Sequence, residues 1–99
     1  MKITVTLPAH LRNLAHVNSN VEIDIKGKAT IASLLDALEQ KYPMLCGTIR
    51  DHGTLKRRAF LRYYACEKDL SFEPPDTSLP EEIVSGKEPF MIIGSIAGG

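Results

Sequence analysis

The residues in this sequence that most clearly suggest chemistry are two glycines, Gly98 and Gly99. They follow an apolar run, 90–93, and a short bridge, 94–97. Glycine has no β-carbon, so a Gly-Gly backbone can pass through a channel that would exclude any side chain. A carboxylate on Gly99 has a reference pKa of about 3.3–3.7 and is ionised at neutral pH, which makes it a poor electrophile. Chemistry at Gly99 is therefore expected to need activation by another protein.

The other residues capable of chemistry do not form an active-site pattern. His10, His16 and His52 are predicted to lie in loops, without a recognisable Ser or Cys nucleophile beside them. Cys46 and Cys66 share no metal-ligand spacing of the CxxC or HxxxH kind with these histidines, so no metal site is expected. Cys46 follows two apolar residues and is predicted to be a small core residue, and Cys66 is also predicted to be structural. We therefore expect a protein that binds no cofactor and is not itself an enzyme.

The composition of the chain argues against some classes of partner. The chain has 99 residues, enough for one domain, and its 12 basic and 12 acidic residues give a formal net charge of zero. Without a positive excess, nucleic acid is not an expected partner, and the one basic run, 56–58, is predicted to be a solvated turn. No apolar stretch approaches the ~20 residues that span a membrane, and the first residues lack a signal-peptide layout. The expected location is the cytoplasm, with both cysteines reduced.

Two segments alternate apolar and polar residues, as half-buried strands do. The first covers residues 3–7 and is ended by Pro8, and the second covers residues 21–25. They are predicted to pair as an antiparallel hairpin with one apolar face. The connection between them, 9–20, is predicted to be a polar loop.

The pattern then changes to that of an amphipathic helix. Thr30 is a suitable N-cap, and Pro43 should end the helix at Tyr42 because the residue before proline disfavours helical geometry. Apolar residues recur at i, i+3, i+4 and i+7, which predicts a helix that covers a sheet. This stripe comprises Ile31, Leu34, Leu35 and Leu38.

Two further strands are predicted, at 59–65 and 89–93, separated by a loop containing residues 73–76. Strands segregated from a single main helix predict an α+β fold with a domain over residues 1–93. Residues 94–99 are expected to leave the sheet as a flexible, reactive tail. The predicted core contains Ile3, Val5, Val21, Ile23, Leu34, Leu38, Leu61 and Ile92.

This order of elements, closing on Gly-Gly, resembles the ubiquitin-like β-grasp proteins and specifically the MoaD/ThiS family of sulfur carriers, over nearly the whole chain. The layout is closest to the carrier of thiocarboxylate-dependent cysteine synthesis. The sequence departs from the family pattern at 66–69 and 85–87, and it is lengthened over 70–82. The matching segments are Leu11-Arg12, Thr30-Ile31-Ala32-Ser33-Leu34-Leu35, Leu38-Glu39 with Tyr42-Pro43, and Ile96-Ala97-Gly98-Gly99.

The resemblance implies a function in sulfur transfer. A ubiquitin-activating-type enzyme would use ATP to adenylate the Gly99 carboxylate, while Ile96, Ala97 and Gly98 thread into that enzyme. A persulfide or sulfide would then displace AMP and leave a thiocarboxylate. A sulfur-accepting synthase would use this group to make cysteine, molybdopterin or another sulfur-containing metabolite, and a sulfurtransferase is a further partner implied.

Two other functions remain open at this stage. A ubiquitin-like modifier would share the adenylation of Gly99 but would be attacked by a lysine, which gives an isopeptide. A β-grasp binding module would carry the glycines without any activation. What attacks the adenylate distinguishes carrier from modifier, and the sequence does not specify it.

Overall fold

The computed structural model describes residues 1–94, which form a mixed five-stranded sheet in the order β2-β1-β5-β3-β4. β1 pairs with β2 antiparallel and with β5 parallel, and β3 pairs antiparallel with β5 and β4. The predicted sheet is confirmed, and it gains one strand, β4, that was not predicted. The strands are β1 Lys2–Thr6, β2 Val21–Asp24, β3 Leu61–Ala65, β4 Lys68–Asp69 and β5 Phe90–Gly94. The helices are α1 Ala9–Ala15, α2 Ile31–Lys41 and α3 Glu81–Val84.

The main helix, α2, begins and ends as predicted. The Thr30 hydroxyl accepts from the Ser33 backbone at 3.0 Å, and the Ser33 hydroxyl accepts from the Thr30 backbone at 2.8 Å, which completes a capping box. A 3-10 turn, Pro43–Leu45, follows directly. All four residues of the predicted apolar stripe are buried in one core with the sheet, and so are all eight predicted core residues. We call the sheet face in this core the covered face.

The segment between β1 and β2 differs from the prediction, because it contains a helix rather than only a polar loop. α1 starts after Pro8 and buries Leu11 and Ala15, four residues apart on one side of the helix. His16 ends it in the left-handed region, with φ 60°. His10 therefore lies on a helix and not in a loop.

The prediction that Cys46 belongs to the core is wrong. Its side chain is exposed, whereas Leu45 and Ile49 are fully buried. In a 3-10 turn successive side chains point about 120° apart, so only one residue of an apolar pair can face the core. Leu45 takes that position and Cys46 faces solvent.

β5 occupies the centre of the sheet and carries Phe90 and Ile92 into the core. It extends to Gly94, one residue beyond the predicted end of the strand at Ile93. The rest of the predicted tail, 95–99, lies outside the described residues. Within residues 1–94, no helix has the length and apolar character needed to cross a membrane.

Candidate functional site

The candidate site is the end of β5, from which the chain continues towards the predicted reactive residues. Gly94 pairs with Leu61 of β3, and a β-carbon on Gly94 would lie 3.5 Å from His10 Cε1 and 3.6 Å from Pro8 Cβ. The strand therefore ends between β3 and the start of α1. The predicted site residues themselves lie outside the described residues; they are Ile96, Ala97, Gly98 and Gly99.

The sheet face opposite the covered face, which we call the open face, leads to this exit. Along β5 the side chains alternate, so Ile92 is 1% exposed whereas Ile93 is 37% exposed. Across the strands, Tyr64 pairs with Met91 and Arg62 pairs with Ile93. The open face thus carries an apolar strip, with Met91 and Ile93 at its centre, beside the end of β5.

One edge of the open face carries an exposed aromatic ring beside two arginines, which we call the Phe72 cluster. Phe72 lies in the loop after β4 and is 75% exposed, more than any other large apolar side chain in residues 1–94. The guanidinium carbons of Arg57 and Arg62 lie 5.0 and 5.2 Å from the centre of its ring. Both distances are within the range of a cation–π interaction.

Hydrogen bonds hold the cluster in place. Arg57 donates from Nε to the Ser71 carbonyl at 3.1 Å and from Nη1 to the Leu61 carbonyl at 2.6 Å. Arg57 is half-buried, so the prediction of a solvated basic turn is wrong for this residue. Asp69 accepts from the Ser71 backbone at 2.8 Å and lies 3.5 Å from Arg62. Hydrogen bonding from Ser71, followed by the charge of Arg62, lowers the pKa of Asp69.

A cavity of about 430 Å³ lies on the open face and includes the apolar strip, since Met91 and Ile93 line it. Cys66 and three carboxylates, Glu67, Glu82 and Glu88, complete its lining. Burial raises the pKa of the Cys66 thiol, and the carboxylates of Glu82 and Glu88 raise it further. The thiol therefore stays protonated at neutral pH and is a weak nucleophile.

Sequence reasoning did not identify a buried ion pair beneath the covered face. Arg50 is 5% exposed and donates to Glu39 at 3.0 and 2.9 Å and to Asp36 at 2.9 Å. Burial alone would lower the pKa of Arg50, but these hydrogen bonds and charges outweigh it and raise that pKa. The guanidinium is thus a fixed cation that ties α2 to the segment before β3.

The described part of the chain offers no metal centre. Among residues 1–94, no group of three or more His, Cys, Asp and Glu side chains is arranged to hold a metal ion. His16 and His52 are both exposed, at separate places in the chain. The end of β5 presents an exposed backbone at Gly94 and the side chain of Ile93.

Solved structures share this fold, with alignments that cover 94–100% of this chain. SAMP1 from Haloferax volcanii superposes with a TM-score of 0.75 at 18% identity, covering 100% of both chains. A chain of the Amycolatopsis orientalis BexX/CysO complex gives a TM-score of 0.71 at 22% identity, covering 97% of this chain and 98% of its own. CysO from Mycobacterium tuberculosis gives 0.71 at 21% identity, covering 94% of this chain and 98% of its own. No protein-family model and no curated protein sequence matches the chain.

These likenesses confirm the predicted fold. Residues 1–94 of this chain have the ubiquitin-like β-grasp architecture of the SAMP1 and CysO structures. At identities of 16–22% the likeness concerns the fold.

Proposed function

We propose that this chain is a ubiquitin-like sulfur carrier that acts through the carboxylate of Gly99. A partner enzyme of the ubiquitin-activating type adenylates this carboxylate, and a sulfur nucleophile then converts the adenylate into a thiocarboxylate. The product donates its sulfur to a biosynthetic synthase, for example in the formation of cysteine or molybdopterin. The chain itself binds no cofactor, ATP is held by the activating enzyme, and the site of action is the cytoplasm.

The observation that carries the proposal is the position of β5 in a β-grasp fold. The strand ends exposed at Gly94, and five residues follow it to Gly99. Five residues span at most about 18 Å when extended, so a carboxylate on Gly99 can enter a deep site while the folded domain stays outside. The small residues Ala97, Gly98 and Gly99 suit a narrow entrance.

The chemistry consists of two steps, adenylation and displacement of AMP. A Gly99 carboxylate oxygen attacks the α-phosphorus of ATP, and pyrophosphate leaves. Sulfide then attacks the carbonyl carbon of the adenylate, AMP leaves with the bonding electrons, and a thiocarboxylate remains. This sulfur anion is a nucleophile at neutral pH, as thiolates are. Its enclosure in a partner would protect it from water.

The test compares three chains that end differently: at Gly99, at Ala97, and one residue beyond Gly99. Each is incubated with the adenylating enzyme of the same organism, ATP and sulfide, and the intact mass is measured. Only the chain ending at Gly99 is expected to gain sulfur in place of oxygen, since misplacement by about 1 Å already costs about 100-fold in rate. Thermal unfolding should be the same for all three, because Gly98 and Gly99 have no side chain to bury in the core. Equal thiocarboxylate yields would contradict the proposal.

The likeness to a protein named small archaeal modifier protein 1 favours a second candidate, a modifier. In that case a lysine amine would attack the Gly99 adenylate and form an isopeptide. The chain purified from its own host distinguishes the two functions. Free chain with one oxygen replaced by sulfur identifies a carrier, and covalent conjugates of increasing mass identify a modifier.

A further inference from the structure

We propose that a cavity beside the N-terminal half of α2 binds a small neutral molecule with an apolar body and a carbonyl oxygen. The cavity has a volume of about 640 Å³ and lies between α2, the segment before β3 and the loop after β4. A volume of this size is usual for small-molecule sites. The cavity uses none of the residues proposed to carry the sulfur chemistry, so this inference goes beyond the sulfur-carrier function and does not depend on it.

Tyr63 lines this cavity and carries a buried hydroxyl without a partner. The residue is 4% exposed, and its hydroxyl makes no hydrogen bond within the described part of the chain. Burial is the main cause that raises its pKa to about 12, and the charges of Arg50 and Arg57 act in the opposite direction. Both arginines also line the cavity, so the hydroxyl end of the ring lies at this part of the wall. A buried hydroxyl is costly without a hydrogen bond, which a ligand in the cavity would supply.

The unpartnered groups at this wall are hydrogen-bond donors, so the ligand atom that meets them is an acceptor. With a pKa of about 12, the Tyr63 hydroxyl keeps its proton at neutral pH. Arg50 bonds carboxylates through Nε and Nη2, and Arg57 bonds backbone carbonyls through Nε and Nη1. Within residues 1–94, the remaining amino group of each guanidinium is left without a hydrogen bond. A carbonyl oxygen has two lone pairs and accepts from the hydroxyl and from one of these amino groups.

The charges around the cavity balance, which favours a neutral ligand. Three cations line it, and they are matched by two carboxylates of the lining and by Glu39, which bonds Arg50. An ion of either sign would lose its hydration here without an excess of the opposite charge to replace it. The cations are Arg50, Lys56 and Arg57, and the lining carboxylates are Asp36 and Glu73.

Apolar side chains form another part of the wall. Ile31 and Leu35 of α2 line the cavity, and so does Leu55 of the segment before β3. Leu55 is 51% exposed, although its backbone is held by a 2.8 Å hydrogen bond to the Asp51 carbonyl. Its φ of 60° lies in the left-handed region, which leucine rarely adopts, and such strain is frequent at ligand clamps. A ligand with an apolar body would cover this side chain and remove it from water.

The experiment titrates the full chain with acetophenone and, separately, with ethylbenzene, in which a CH₂ group replaces the carbonyl. Methyl NMR signals of Ile31, Leu35 and Leu55 measure binding at the cavity, and both probes are expected to shift them. Tyr63→Phe should weaken acetophenone binding by about fivefold, the effect of one ordinary hydrogen bond, and leave ethylbenzene binding within about twofold. Tyr64→Phe, the matched change on the open face, should leave the binding of both probes within about twofold.

Leu55→Ala tests the apolar wall at a half-exposed residue, where a substitution has little effect on folding. It should weaken the binding of both probes by about fivefold, because it removes apolar contact that they share. Thermal unfolding is measured for every variant, and only variants that unfold no more easily than the original chain are compared. Cavity signals that do not move with acetophenone would overturn the proposal. So would a Tyr63→Phe variant that changes the binding of both probes alike, or a Leu55→Ala variant that binds both as tightly as the original chain.

Discussion

Ile92 and Ile93 are chemically identical neighbours on β5, yet one is 1% exposed in the core and the other is 37% exposed on the open face. The same division separates Tyr63 from Tyr64 on β3, since Tyr63 is buried and Tyr64 is half-buried on the opposite face. The covered face uses its residues to hold the fold together. The open face leaves equivalent residues free for contacts with other molecules. Three matched pairs of substitutions test this difference.

The largest contrast is expected for the isoleucine pair. Ile92→Ala should lower the free energy of unfolding by about 4 kcal/mol, because it leaves a cavity in the central strand. Ile93→Ala should lower it by about 1 kcal/mol or less, because the site is open to solvent. Urea denaturation of both variants measures the two values. Similar losses from both would show that the open face also stabilises the fold.

The next largest difference in the free energy of unfolding is expected for the arginine pair. Arg50→Met should cost about 3 kcal/mol, because it leaves Glu39, whose side chain is 12% exposed, without its cationic partner. Arg62→Met should cost at most about 1 kcal/mol, because Arg62 and Asp69 are both solvent-exposed and 3.5 Å apart. The same denaturation experiment measures both. A neutral Arg50→Met would mean that the buried ion pair adds no net stability over an apolar side chain.

The smallest change in the free energy of unfolding is expected for the tyrosine pair. Here the substitution on the covered face should stabilise the chain. The Tyr63 hydroxyl is buried and has no hydrogen-bond partner among the residues that the structure describes. Tyr63→Phe removes this unpaired group and should stabilise the chain by about 1 kcal/mol. Tyr64→Phe should have almost no effect on the free energy of unfolding.

The stability of the chain at alkaline pH is a second test of the burial of Tyr63. Burial, the largest cause, raises the pKa of Tyr63 from 10.0 to about 12. Between these values the unfolded chain loses the proton while the folded chain keeps it. Stability is therefore fully present below pH 10 and falls as the pH rises from 10 to 12. This loss should persist in Tyr64→Phe and be reduced in Tyr63→Phe, and an identical pH profile for both variants would contradict the burial of Tyr63.

The covered face could be predicted from the sequence because its signals are local and periodic. Ile3 and Val5 alternate with threonines, and Leu34 and Leu38 repeat at helical spacing, so each segment identifies its own buried side. The segment 9–20 gave no such signal. Its helix has seven residues and buries only Leu11 and Ala15, which is too few to establish a period.

The buried ion pair and the Phe72 cluster were less predictable, because their contacts join distant parts of the chain. Arg50 reaches Glu39 and Asp36, 11 and 14 positions away, and nothing in the run around Arg50 distinguishes it from a solvated charge. The same holds for Arg57, which bonds the Ser71 carbonyl 14 positions later. Gly98 and Gly99 could be proposed as reactive from their residue type alone, but the surface that accompanies them is formed only by folding.

The place of β5 in the sheet also has a consequence for synthesis of the protein. β5 is the last strand within residues 1–94, but it lies between β1 and β3 and joins the two halves of the sheet. A nascent chain that stops before Phe90 contains two separate strand pairs and lacks the buried Phe90 and Ile92. Such a fragment remains open to proteases and chaperones, as incompletely folded chains are. Only chains that have been synthesised through β5 can therefore assemble the open face.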